Sequence, residues 1–282
     1  MWKVTWRRFR RSKLAVAALI YVAAVTLLAA SAPLLAGRGR LVPFGPNDVD
    51  ITTRLRPPDP LHRLGTDDLG RDVLARMIHG GRVSLTVGFL ATGISLIIGS
   101  LLGALAGYYR GAADWIVSRT IEVVLCFPFL FLVLGIVALF GPSLYTIMIA
   151  LGLTSWTSEA RFVRGEFLRI RELDFAYAAR ASGARDARII LRHLLPNALA
   201  PVLVSASFGV ASAILTESAL SFLGFGVPLP TPTWGSLLLA AQQNIEYAWW
   251  LALFPGVAIF LTVSAFNIIG DRFRDAIDPR AE

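Results

Sequence analysis

The chain has 282 residues, 55% of them apolar and only 16% charged, a balance that excludes an ordinary soluble domain and reads as an all-α polytopic membrane protein. Its net charge of +8 comes from basic residues clustered beside apolar runs, as cytoplasmic flanks are marked, and not from a nucleic-acid-binding stripe. A single cysteine, Cys126, excludes an internal disulfide and a thiol metal cluster, and reads as a small packed residue.

The chain opens with a basic tail over 1–13, carrying Lys3, Arg7, Arg8, Arg10, Arg11 and Lys13, followed by an apolar run over 14–37. A cleaved signal peptide ending at Ala30-Ser31-Ala32 is the rival reading, but the run exceeds a typical apolar core and Pro33 opposes cleavage. Leu14–Gly37 is therefore read as the first span. Residues 38–82 form a Pro-, Gly- and Asp-rich external segment holding eight arginines against six aspartates. Parity places it outside, although so many arginines run against the positive-inside rule. Its end, Leu64–Gly81, predicts a short amphipathic helix capped by Thr66, with Asp67 and Asp68 at its positive end and Gly80-Gly81 as its stop. Leu69, Val73, Leu74, Met77 and Ile78 share one face, to lie on the membrane surface or pack on the bundle.

Val83–Tyr109 is the second span, with Gly88, Gly93, Gly99, Gly103 and Gly107 suited to close helix packing or to a glycine-lined path. Gly141-Pro142-Ser143 divides the next long run into spans near 119–140, kinked at Pro128, and 144–160. Leu194–Thr216 and Tyr247–Gly270 complete six, with both termini cytoplasmic and 271–282 as a second tail. Glu122 and Glu159 near span ends read as wetted flanks. Glu217, the one carboxylate well inside an apolar run, is a candidate for the translocation pathway or for a structural hydrogen bond. The segment 226–250 is external, with Trp249 and Trp250 anchoring the last span at headgroup level.

Catalytic motifs are missing. The only lysines are Lys3 and Lys13, so no phosphate-binding Gly-rich loop with its lysine exists, and His62, His79 and His193 lack metal-ligand spacing. An aspartyl intramembrane protease needs two carboxylates within its spans, and only Glu217 qualifies.

Between the fourth and fifth spans lies 172–196, a helix, a glycine turn at Gly183 and a second helix, with small residues at Ala176, Ala178, Ala179 and Ala181 that let a partner approach the backbone. Tyr177-Ala178-Ala179, Gly183 and Leu195-Pro196 resemble the cytoplasmic coupling loop of ABC importer permeases, whose pattern is Glu-Ala-Ala, three residues, Gly, and later Leu-Pro. Tyr177 stands where that pattern has an acidic residue. Leu64–Asp72, Glu217–Gly224, Trp234-Gly235 and Asn267–Pro279 extend the likeness to the dipeptide, oligopeptide and nickel permeases, and to the second permease of such pairs.

The resemblance implies a type I ABC importer permease fold in a bacterial inner membrane. It also implies a heterodimer with a homologous permease, two cytoplasmic ATPases that carry ATP and Mg, and an external solute-binding protein. This chain would hold no cofactor, contact membrane lipid and bind no nucleic acid. Ala178, Ala179 and Gly183 would make the close ATPase contact, Arg185 and Asp186 would fix its orientation, and the ring of Tyr177 would fill the ATPase groove. Peptides lead as cargo on resemblance alone, with nickel complexes, opines, glutathione and sugars left open. Two other classes compete. A single-chain secondary transporter needs intramembrane charges and often paired repeats. A tethered regulator would use 172–196 as a DNA-binding helix-turn-helix, on tethers too short to reach a groove.

Overall fold

A computed structural model of the chain describes residues 2–37 and 42–277. The described residues form twelve α-helices: α1 (Trp2–Arg11), α2 (Lys13–Ala30), α3 (Ala32–Leu35), α4 (Val73–Tyr109), α5 (Gly111–Leu125), α6 (Phe129–Phe140), α7 (Leu144–Ile170), α8 (Asp174–Ala181), α9 (Asp186–Arg188), α10 (Leu195–Phe222), α11 (Trp234–Gln242) and α12 (Trp250–Ile277). A π-helical turn, Ile189–Leu194, joins α9 to α10.

The core is built around α4, which packs along α7 on one side and against α10 on another. Small residues permit this: a β-carbon on Gly103 would lie 2.5 Å from the Ala160 carbonyl oxygen, and one on Gly107 2.6 Å from Phe167 Cβ. Without hydrophobic driving force inside lipid, such close backbone approach is what holds spanning helices together.

Three expectations change. The amphipathic helix predicted over 64–81 is no separate element: α4 starts at Val73 and runs 37 residues without a stop at Gly80-Gly81. Asp72, not Thr66, is its cap, accepting from Ala75 N–H at 2.8 Å. The two glycines lie within the helix and let Thr233 and Trp234 pack closely, 3.2 and 2.9 Å from where β-carbons would sit. Pro128 breaks its helix outright. It lacks an N–H and sits in extended backbone (ψ 129°), so α5 and α6 meet at 84°, leaving Cys126 exposed beside the break rather than packed.

The count of spans also differs. The helices α2, α4, α10 (over Pro201–Phe222) and α12 are long and apolar enough to cross a membrane, and the bent α5–α6 pair makes a fifth if taken as one. α7 has the length, 27 residues, but Thr154, Ser155, Thr157, Ser158 and five charged residues dilute its hydropathy. The basic tail is itself helical, with Phe9 buried and edge-on to Phe273 of α12 at 6.0 Å.

The arginine-rich segment before α4 folds on itself. Arg71 pairs with Asp67 at 2.7 Å, Arg56 with Asp59 at 2.7 Å, and buried Arg76 reaches Asp67 at 3.4 Å and donates to the Pro46 carbonyl at 3.0 Å. His62 stacks on Phe44 and meets Asp72 at 2.9 Å. Three of the segment's eight arginines, Arg56, Arg71 and Arg76, are thus paired locally with aspartates.

Candidate functional site

Residues 172–196 form a hairpin of α8 and the α9–π turn laid across the ends of α4, α7 and α10. Ala176 is fully buried with Phe167, Ile170, Ile189 and Leu194, so the segment has an apolar face of its own, covered by the bundle. Gly183, at φ +74°, turns the chain where a β-branched or bulky residue would be strained. Tyr177, Ala178 and Gly183 point away from the bundle, Ala179 and Leu195 are half-buried, and Pro196 is exposed in the first turn of α10.

Polar contacts lock the hairpin. Tyr108 of α4 donates to Asp186 Oδ1 at 2.7 Å, and Arg171 donates to the Tyr108 carbonyl. Arg110 pairs with Glu172 at 2.9 Å, and Tyr177 donates to the same carboxylate. The Tyr177 hydrogen bond, with Arg110 and Arg171 nearby, holds Glu172 below the usual carboxylate range; the same bond raises the Tyr177 phenol. Arg180 lies over both rings, 5.8 Å from Tyr108 and 5.4 Å from Tyr177. Asp186 is thus engaged by α4 although it lies on the surface, and Arg185 beside it is exposed. Sequence reasoning missed Tyr108, since an aromatic at a span end reads as an interfacial anchor.

Glu217 has no exposed surface. It accepts from Ser221 at 2.7 Å and from Ser84 of α4 at 3.1 Å, and Ser84 Oγ in turn accepts from Trp234 N–H at 3.2 Å. Three elements, α4, α10 and the start of α11, meet on this carboxylate. Trp234 Nε1 adds a bond to the Met77 carbonyl at 3.1 Å.

The cavity lies elsewhere. About 570 Å³ opens between α4, α6, α7 and α10, and Glu217 is absent from its lining. Its ionisable group, among the described residues, is Glu159, which accepts from Ser205 of α10 at 2.7 Å. A signal for this was present: Ser155, Ser158, Glu159 and Phe162 on α7, and Ser205, Phe208, Gly209 and Ser212 on α10, recur at i, i+3, i+4, i+7. Two helices each showing a small or hydroxyl-bearing stripe mark a shared polar groove.

Long apolar helices around a hydroxyl-lined cavity, with an anchored hairpin at one end, define a multi-span membrane transport subunit. The chain belongs to the family of binding-protein-dependent transport system inner membrane components, which residues 99–282 match, and residues 1–58 match the N-terminal transmembrane domain of oligopeptide transport permease C. It is a permease subunit of an ABC importer, a multi-pass inner-membrane protein that works with an ATPase and a binding protein.

The dipeptide transport system permease protein of Alkalihalophilus pseudofirmus is 41% identical over 99% of this chain and 90% of its own length. The oligopeptide transport system permease protein of Haemophilus influenzae is 41% identical over 99% and 89%, and the glutathione transport system permease protein of Pectobacterium atrosepticum 39% over 99% and 91%. Among solved structures, the MetNI methionine ABC transporter shares the fold at TM-score 0.59 and 21% identity, covering 73% of this chain and 98% of that one.

Proposed function

We propose that the chain forms half of the translocation pathway of an ATP-driven importer of short peptides or related small solutes, paired with a homologous permease. Two cytoplasmic ATPases dock on the 172–196 hairpins of the pair and carry the ATP and Mg; this chain holds no cofactor and performs no catalysis. Both termini lie in the cytoplasm, and α7 is the sixth crossing. The three relatives above transport dipeptides, oligopeptides and glutathione by name, which supports a peptide-like cargo.

The observation that carries the reading is the two-sided hairpin. Its inner side, Ala176 with Ile189 and Leu194, is sealed on the bundle, so a push on the outer side at Tyr177, Ala178 and Gly183 moves the ends of α4, α7 and α10 as a unit. When ATP closes the ATPases, that movement switches the spans from inward-facing to outward-facing to receive cargo. Ala179, Leu195 and Pro196 shape the hairpin's footing, and Arg185 orients the ATPase.

Glu217 serves the pathway indirectly, by fixing α11 to α4 and α10. Purification of the tagged chain in gentle detergent from its native membrane tests the assembly. Recovery of a second permease and two ATPases is expected; recovery of the chain alone would bring the secondary-transporter reading forward.

A further inference from the structure

The cavity has an unusual charge pattern. It is walled by aromatic rings, Phe127, Phe129, Phe162 and Phe208, and by hydroxyl groups of α4, α7 and α10, and it contains one carboxylate. Glu159 is set there with care: a β-carbon on Gly99 would lie 2.5 Å from Glu159 Cβ, so only a glycine lets the stem lie so close to α4, and Ser205 fixes Oε2 at 2.7 Å. Among the described residues no cation pairs with it, and Arg164, five residues on, is held by Asp114 at 2.8 Å.

A carboxylate within an apolar bundle normally meets a positive partner or a water-filled path. We propose that Glu159 is a recognition point for the primary ammonium group of the transported solute, such as the free amino terminus of a short peptide. An ammonium has three N–H donors and no acceptor, so it suits one carboxylate oxygen together with surrounding hydroxyl oxygens. Phenylalanine rings in the lining can add cation–π attraction to such a group. The cavity volume lies in the range of small-molecule sites, roughly 300–1,000 Å³. A single carboxylate offers too few oxygen ligands for a divalent metal. The inference rests on the importer reading only for the word transported.

The test is binding to the complex purified from its native membrane, washed free of binding protein, with dialanine and N-acetyl-dialanine as probes in equilibrium dialysis. Dialanine should bind the wild type about tenfold more tightly than its acetylated form, the scale of one hydrogen bond to a charged group. Glu159→Gln should erase that preference by weakening dialanine alone, and Glu159→Asp should keep part of it. Equal binding of the two probes to the wild type, no detectable binding of dialanine, or an equal loss for both probes in Glu159→Gln would overturn the proposal. The wild-type comparison stands whether or not a variant folds. Failure of the importer reading appears separately, as missing ATPases in the same preparation.

Discussion

Tyr108 donates its hydroxyl proton to Asp186 across 2.7 Å, tying the end of α4 to the start of α9. That bond joins the longest helix of the bundle to the 172–196 hairpin. Tyr108→Phe keeps the ring under Arg180 and removes only the donor. With Asp186 on the surface the bond contributes about 1 kcal/mol, so ATP-driven uptake should fall about fivefold at normal membrane abundance. Unchanged uptake would mean that the hairpin does not depend on this bond.

Gly103 and Gly93 lie on the same helix in opposite surroundings. A side chain at Gly103 meets the Ala160 carbonyl at 2.5 Å, whereas nothing lies within 4 Å of one at Gly93. Gly103→Val should cost about 2 kcal/mol through overpacking, and Gly93→Ala should stay within about 0.5 kcal/mol of wild type. Unfolding in mixed micelles measures both, and similar values would remove the α4–α7 contact from its central place.

Glu217→Leu strands the hydroxyls of Ser84 and Ser221 in a buried site, at a cost of about 2–3 kcal/mol, while Glu217→Gln keeps an acceptor and should cost less than about 1 kcal/mol. Because Ser84 also holds the start of α11, the leucine variant should shift Trp234 fluorescence. A silent Trp234 would separate Glu217 from α11.

Acid should leave the hairpin intact over an unusual range. Glu172 is held below its ordinary 4.5 by the Tyr177 hydrogen bond, with Arg110 and Arg171 adding to it, so the folded state binds this proton less readily than the unfolded chain. Its contribution is complete above 4.5 and is lost only as pH falls through the lowered value. Amide exchange over 172–184 should therefore stay flat from pH 7 to 4.5 once corrected for intrinsic rates. Deprotection beginning near pH 5.5 would contradict the Glu172–Tyr177 bond.

Much of this was legible in the sequence because the membrane imposes lengths and the hairpin needs glycine. Gly183 was read as a turn and takes φ +74°; the glycines of 88–107 were read as packing positions, and Gly88, Gly99, Gly103 and Gly107 pack so. What escaped was long-range. Asp72 caps α4 with one oxygen while the other meets His62, ten residues earlier in the chain, and local pattern does not separate Thr66 from Asp72 as a cap. Glu159, read as a wetted flank, faces a cavity, whereas Glu217, read as the carboxylate inside a span, lies in a closed knot of serines. Cys126 looked like packing and lies exposed, since its surroundings depend on how far Pro128 swings α6 away.

The central claim is that energy enters through the outer side of the hairpin. Ala178 is exposed there and its side chain supports no buried contact, so Ala178→Asp leaves the fold alone and places a charge against the ATPase. ATP-driven uptake in membrane vesicles, with ATPase recovery in parallel, is the most direct measurement. The account predicts that Ala178→Asp, at wild-type abundance and thermal stability, loses at least about nine-tenths of its uptake and most of its bound ATPase, because a buried unpaired charge at an interface costs several kcal/mol. Undiminished uptake with ATPases still bound would contradict it.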